Sequence, residues 1–144
     1  MGRIIAIDYG HKRVGLAVTD PLQIIASSLE TISPKELLPY LTKYFLKESV
    51  DTIVLGMPTR LDGSNTNITG FVKNLTGTLR NTFPEKEVVN HDERFTSGLA
   101  LKAMIASGTS KKERRIKGNI DMVSATIILQ SYMESIDLQK IRSI

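Results

Sequence analysis

Short apolar runs alternate along this chain with longer stretches whose apolar residues recur at helical spacing. The run Ile4-Ile5-Ala6-Ile7 is too short for a helix and rich in β-branched side chains, which predicts a central strand buried on both faces. Gly10 to Lys12 predicts a tight turn, Val14-Gly15-Leu16-Ala17-Val18 a second strand, and Asp20-Pro21 the next turn. Residues 24–32 read as a third strand, and the short connections predict an antiparallel meander.

Ser33-Pro34-Lys35-Glu36 opens a helix: serine as N-cap, proline at the first helical position, and Glu36 placed for a capping box. Leu37, Leu38, Leu41, Tyr44 and Phe45 give that helix a buried face. Thr52-Ile53-Val54-Leu55 predicts a short buried strand ending at Gly56, followed by a polar loop over 57–67 with the turn signal Asp62-Gly63. Ile68, Phe71, Val72, Leu75 and Leu79 mark a second amphipathic helix, and residues 87–91 a fifth strand. A third helix is expected from near Thr96 to Gly108, where glycine is the usual stop. The last helix, Ile120 to about Ile136, is apolar around most of its circumference, so it is expected against the sheet centre. Residues 137–144 are expected as a loose tail behind a single domain of residues 1–136. The order βββαβαβαα predicts an α/β fold with a five-stranded mixed sheet, three strands antiparallel and two parallel, flanked by about four helices.

Composition narrows the function classes. Of 144 residues, 41% are hydrophobic and none is cysteine, which fits a globular domain with neither disulfides nor a thiolate metal site. No stretch approaches the length of a membrane span, the first residues lack a secretory pattern, and the absence of cysteine fits the cytosol. The opening Met-Gly has Ala6 where a myristoylation motif needs Ser or Thr. Lys111, Lys112, Arg114, Arg115 and Lys117, set against Glu113, account for the whole net charge of +4. Such a segment is either a solvated loop or an arm that contacts phosphates beside an active site.

Three acids fall where ligands of open α/β sheets gather, beyond the carboxyl ends of parallel strands near the point where strand order reverses. Asp8 ends the first strand, Glu93 follows the fifth, and Asp121 lies in the first turn expected for the last helix. Converging carboxylates repel unless a cation lies between them. Their oxygen donors favour Mg²⁺ or Mn²⁺, in a two-metal site with ions about 3.5–4 Å apart. Each acid also has a structural reading: Asp8 capping its turn, Glu93 pairing with Arg94 or Arg3, Asp121 facing the helix dipole. His91 is expected to support either the structure or the ligands from behind, rather than to ligate. Thr96 and Ser97 serve as helix caps and, secondarily, as phosphate contacts.

Asp8-Tyr9-Gly10, then Lys12-Arg13-Val14-Gly15-Leu16-Ala17 and Asp20, resemble the YqgF/RuvX family, described as pre-16S ribosomal RNA nucleases and Holliday-junction-resolvase-like proteins. The likeness continues through Gly56-Met57-Pro58, Asp62-Gly63-Ser64, Asp92-Glu93-Arg94-Phe95-Thr96-Ser97, and Asp121 with Ala125 and Ile128-Leu129-Gln130-Ser131-Tyr132. It departs at Ser124, where a small apolar residue is expected. The resemblance implies a ribonuclease-H-like fold and a metal-binding catalytic triad of Asp8, Glu93 and Asp121. It also implies a cytoplasmic enzyme that processes the 5′ end of small-subunit ribosomal RNA precursor.

The resulting expectation is a metal-dependent nuclease, with Lys12, Arg13, Arg94, Thr96, Lys111, Lys112, Arg114, Arg115 and Lys117 on nucleic-acid phosphates. Its partners would be precursor RNA, branched DNA or an immature ribosomal subunit, and not a membrane; the protein would be a monomer or a homodimer. Rival expectations are a junction-resolving DNA nuclease and a factor that binds nucleic acid without cutting. A third, an ATPase or sugar-kinase relative sharing the Asp-x-Gly turn, is disfavoured because such enzymes need two domains of this type.

Overall fold

The computed structural model describes residues 2–57, 67–92 and 117–142, with side chains in the last helix described from Val123 to Asp137. The strands are β1 (Arg3–Tyr9), β2 (Val14–Thr19), β3 (Ala26–Ile32), β4 (Val50–Met57) and β5 (Glu87–Asp92). The helices are α1 (Leu37–Lys47), α2 (Asn67–Thr82) and α3 (Lys117–Arg142), with a 3₁₀ turn over Pro34–Glu36 leading into α1. One mixed sheet has the order β3-β2-β1-β4-β5. β2 is antiparallel to β1 and β3, while β4 runs parallel to β1 and to β5. This is the expected sheet, and the strand order reverses between β1 and β4.

Alternation along β1 divides the core. Ile5 and Ile7 pack with Leu16, Leu37, Leu41, Leu55, Val72 and Leu79, on the face covered by α1 and α2. Ile4 and Ala6 pack with Ala17, Val54, Ala125, Ile128 and Leu129, on the face covered by α3. Three alanines meet on this second face, so the helix can lie close to the sheet. Burying Ile128 and Leu129 there stabilises the contact by about 1.5–3 kcal/mol each.

Several boundaries differ from the sequence pattern. β3 begins at Ala26 rather than residue 24, because Asp20 organises residues 20–25 as a loop. Its Oδ1 accepts from the N–H of Ile24 and of Ile25, both at 2.7 Å, and its Oδ2 from that of Leu22 at 3.1 Å. α3 starts three residues before Ile120 and continues past Ile136 to Arg142, so the expected loose tail stays helical at least that far. No glycine or proline interrupts it after Gly118. At Ser33, the N–H donates to Glu36 Oε2 at 3.4 Å, one half of the expected capping box, but the first turn is 3₁₀ rather than α.

The buried face of α2 also departs in part from the pattern. Val72 and Leu79 are fully buried, Ile68 and Leu75 half-buried, but Phe71 is 52% exposed. Thr69 and Thr76 take the buried positions instead. The Thr76 hydroxyl donates to the Val72 carbonyl at 2.9 Å and accepts from Asn90 Nδ2 at 3.0 Å, so it costs little to bury. The third helix expected near 96–108 lies outside the described residues.

The backbone hydrogen bonds from Leu22, Ile24 and Ile25 hold the Asp20 carboxyl below the usual range, the one from Ile25 most strongly. A carboxyl with a lowered folded pKa adds stability above its unfolded value, and that stability fades as pH falls through the folded value. Asp20→Asn keeps one acceptor oxygen and loses the charge. In urea titrations the wild type is therefore more stable than the variant at pH 5, and the difference shrinks below about pH 3.9.

Candidate active site

Asp8 is the sixth of seven residues in β1, near its carboxyl end, and half-buried. Strand alternation sets it on the same face as Ile4 and Ala6, the α3 side. Its partner across the β1–β2 ladder is Gly15. On the other side Ile7 pairs with Leu55, so the next position on β4 is Gly56. Cβ atoms on neighbouring strands stand about 4.5–5.5 Å apart. At Asp8 the adjacent position on each neighbouring strand is a glycine.

Gly56 pairs in turn with His91 on β5. Burial pushes the His91 imidazole down in pKa, partly opposed by the Asp92 charge. Its Nε2 lies 2.8 Å from Ser131 Oγ on α3, and its ring meets Tyr132 edge to face at 6.2 Å between centroids. His91 thus fastens β5 to α3, one of the two roles expected of it. β5 ends at Asp92, so Glu93 is the residue directly after a parallel strand.

α3 runs back along β1. Thr126 Oγ1 lies 2.9 Å from Ser28 Oγ, above the row Ala6–Ala17–Ser28. Further along, Gln130, Met133, Glu134 and Asp137 line a cleft of about 450 Å³ with Ile24, Ile25 and Ala26, beside the opposite end of β1. The first turns of the helix therefore lie toward the Asp8 end. Asp121 is five residues before Thr126, about 7.5 Å along the axis. Asp8 is two residues beyond Ala6, about 6.6 Å. Asp121 occupies the second turn of α3 rather than the first, and dipole effects fade within one turn, which weakens the capping reading of this residue.

Glu93, Arg94, Thr96, Lys111, Lys112, Arg114 and Arg115 lie outside the described residues, and Lys117 begins α3. Arg3, a suggested partner for Glu93, is engaged elsewhere: its Nε meets Glu48 Oε2 at 3.2 Å and its Nη1 donates to the Thr19 carbonyl at 2.9 Å. Among the described residues no group of three potential ligands is close enough to hold a metal, and Asp8 is the one triad candidate whose side chain is described.

Lys12 is exposed and Arg13 half-buried in the turn that follows Asp8. The turn is closed by the Gly10 N–H donating to the Arg13 carbonyl at 2.9 Å. A Cβ at position 10 would stand 2.8 Å from that same oxygen, and backbone cannot yield cheaply. Gly10→Ala is expected to lower unfolding stability by about 1–3 kcal/mol, read from urea denaturation.

Comparison with known proteins decides the family. The model of the family described as "RuvX: Holliday junction resolvase" matches residues 2–135. The chain belongs to the RuvX family. It is 50% identical over 135 residues to a protein of Amoebophilus asiaticus named "Putative pre-16S rRNA nuclease", covering 94% of this chain and 96% of that one. A protein of Flavobacterium johnsoniae with the same name is 46% identical over 135 residues, covering 94% and 98%. Among solved structures, Thermus thermophilus RuvC in complex with a Holliday junction superposes with a TM-score of 0.53 at 13% identity, covering 92% of this chain and 96% of that one. That likeness is one of fold, and it identifies the RuvX chain as ribonuclease-H-like. Membership makes this a phosphodiester-hydrolysing enzyme.

Proposed function

We propose that this RuvX protein hydrolyses RNA phosphodiesters with divalent metal, and that its substrate is the small-subunit ribosomal RNA precursor near its 5′ end. The observation that carries the reading is the setting of Asp8: an acid at the carboxyl end of β1, on the α3 face, flanked by Gly15 and Gly56. Glycine at both adjacent ladder positions adds no side chain of its own next to that carboxylate. The donor set of Asp8, Glu93 and Asp121 is all oxygen, which fits Mg²⁺ or Mn²⁺. Asp8 would hold both ions of a two-metal site, Glu93 and Asp121 one each. When bound, the metal supplies a water of lowered pKa and charge for the leaving oxygen.

The protein's own part is positioning. The Lys12–Arg13 turn, Arg94, Thr96 and the basic segment 111–117 would hold the backbone phosphates on either side of the scissile bond. A histidine base is unnecessary, and His91 is held against Ser131. The names of the relatives favour precursor RNA, and the family description keeps a DNA junction as the second reading. A junction nuclease needs two sites on a two-fold dimer to cut symmetrically. Among the described residues no helix is long and apolar enough to cross a membrane. The expected setting is the cytoplasm, on immature small ribosomal subunits.

The deciding experiment incubates the protein with precursor RNA and with a four-way DNA junction, each with Mg²⁺, Mn²⁺ or EDTA. Metal-dependent cleavage near the mature 5′ end of the RNA, with the junction left whole, is the expected result. Junction cutting alone would transfer the activity to DNA. Binding of RNA without cleavage in either metal would leave a non-catalytic assembly factor.

A further inference from the structure

The turn after β1 and the second turn of α2 bring two rings together at the carboxyl end of the sheet. His11 and Phe71 meet edge to face, with centroids 5.2 Å apart and planes at 88°. Phe71 is 52% exposed and His11 is exposed, as is Lys12 beside it. The adjacent Val72 is fully buried, so the helix has an apolar face, and Phe71 stands off it. A lone exposed apolar residue needs no explanation. A ring left half in water and braced by a second ring, itself followed in the chain by an exposed lysine, is a different case, because it offers aromatic surface where phosphates are expected. Asp8 is three residues from His11 along the same turn, on the other face of the sheet.

We infer that Phe71, braced by His11, is a stacking platform for an unpaired nucleobase that flanks the phosphate held at Asp8. The inference rests on the proposed reading of this rim as the cutting edge, and it adds a selectivity: single-stranded rather than duplex nucleic acid. In a duplex both faces of a base are already stacked, whereas an unpaired base can be splayed onto an aromatic side chain. Because the platform and Asp8 lie on opposite faces, the stacked base belongs to a flanking nucleotide and not to the one attacked. Lys12 would hold an intervening phosphate.

Phe71→Trp provides a direct reporter, since the chain contains no tryptophan. In EDTA, so that nothing is cut, a single-stranded RNA oligonucleotide is expected to quench the indole fluorescence of this variant strongly. The same sequence as a blunt duplex should leave it nearly unchanged. Phe71→Ala is expected to weaken single-strand binding about five- to a hundredfold, with duplex binding altered less than about twofold. The salt dependence of binding should not change, because stacking releases no counterions, whereas Lys12→Ala should reduce its slope. Equal losses on both RNAs, or Phe71→Leu binding as tightly as wild type, would overturn the platform. So would an indole signal that duplex quenches as well as single strand. All three readouts are of binding, so a protein that stacks RNA but cannot cleave it would sink the hydrolase and leave the platform standing.

Discussion

Asp8→Asn is expected to cut cleavage of precursor RNA to a small fraction while leaving the protein folded. Asparagine has nearly the shape of aspartate, and the β1 ladder depends on backbone groups: the pairing of position 8 with Gly15 is unaffected by the side chain. What is lost is one negative charge and one carboxylate oxygen, the groups proposed to hold metal. If metal provides several kcal/mol of the transition-state stabilisation, the rate in saturating Mg²⁺ falls by about two to three orders of magnitude. Mn²⁺ should raise the melting temperature of the wild type but scarcely that of the variant, since a ligand stabilises only the state that binds it. Asp20→Asn is the matched control. Asp20 belongs to the same family-like block of residues as Asp8, yet it lies past the end of β2, at the opposite end of the sheet, holding three N–H groups of its own loop. Full cleavage by Asp20→Asn and a loss of about two to three orders of magnitude in Asp8→Asn is the predicted pair. Equal cleavage by wild type and Asp8→Asn would end the proposal that this carboxylate holds metal.

The contrast between those two aspartates marks how far the residues can be read without coordinates. Both end strands, and both sit beside turn residues. Only pairing direction separates them: β2 runs against β1, so the end of one strand is the start of its neighbour. The meander is legible because Gly10 and Asp20-Pro21 punctuate it, and the parallel half because apolar runs alternate with helical spacing. Gly15 as a neighbour of Asp8 is not legible, since it depends on register, which no local pattern carries across a four-residue turn. Phe71 escapes the pattern for a different reason. Helical periodicity treats threonine as polar and phenylalanine as core, whereas Thr69 and Thr76 are buried and Phe71 is not. A threonine that returns its hydroxyl to its own helix can be buried like valine, and that option is invisible to a hydropathy pattern. Asp121 shows the usual softness of helix ends. Moving the start of α3 back to Lys117 takes it from first turn to second, which changes its structural reading from dipole partner to a position needing another reason.

The segment 111–117 carries the second large effect, because it holds the protein's entire excess of positive charge. Each phosphate neutralised on a single strand releases condensed counterions and contributes about −0.7 to the slope of log affinity against log salt. Five contacts, from Lys111, Lys112, Arg114, Arg115 and Lys117, give a slope of about −3.5. Raising salt fourfold should then weaken the part of wild-type binding due to this segment about a hundredfold. Replacing all five by glutamine should remove most of that dependence and leave the smaller share due to Lys12 and Arg13. Of the five, Lys117 is the first residue of α3, the helix whose opening turns lie toward the Asp8 end of the sheet. If the glutamine variant keeps the wild-type slope, these charges face solvent, and the phosphates must be held by other residues. If instead the slope collapses while Phe71→Ala leaves it intact, the two effects separate cleanly: the basic segment sets how tightly any nucleic acid is held, and the aromatic rim sets which form of it is preferred.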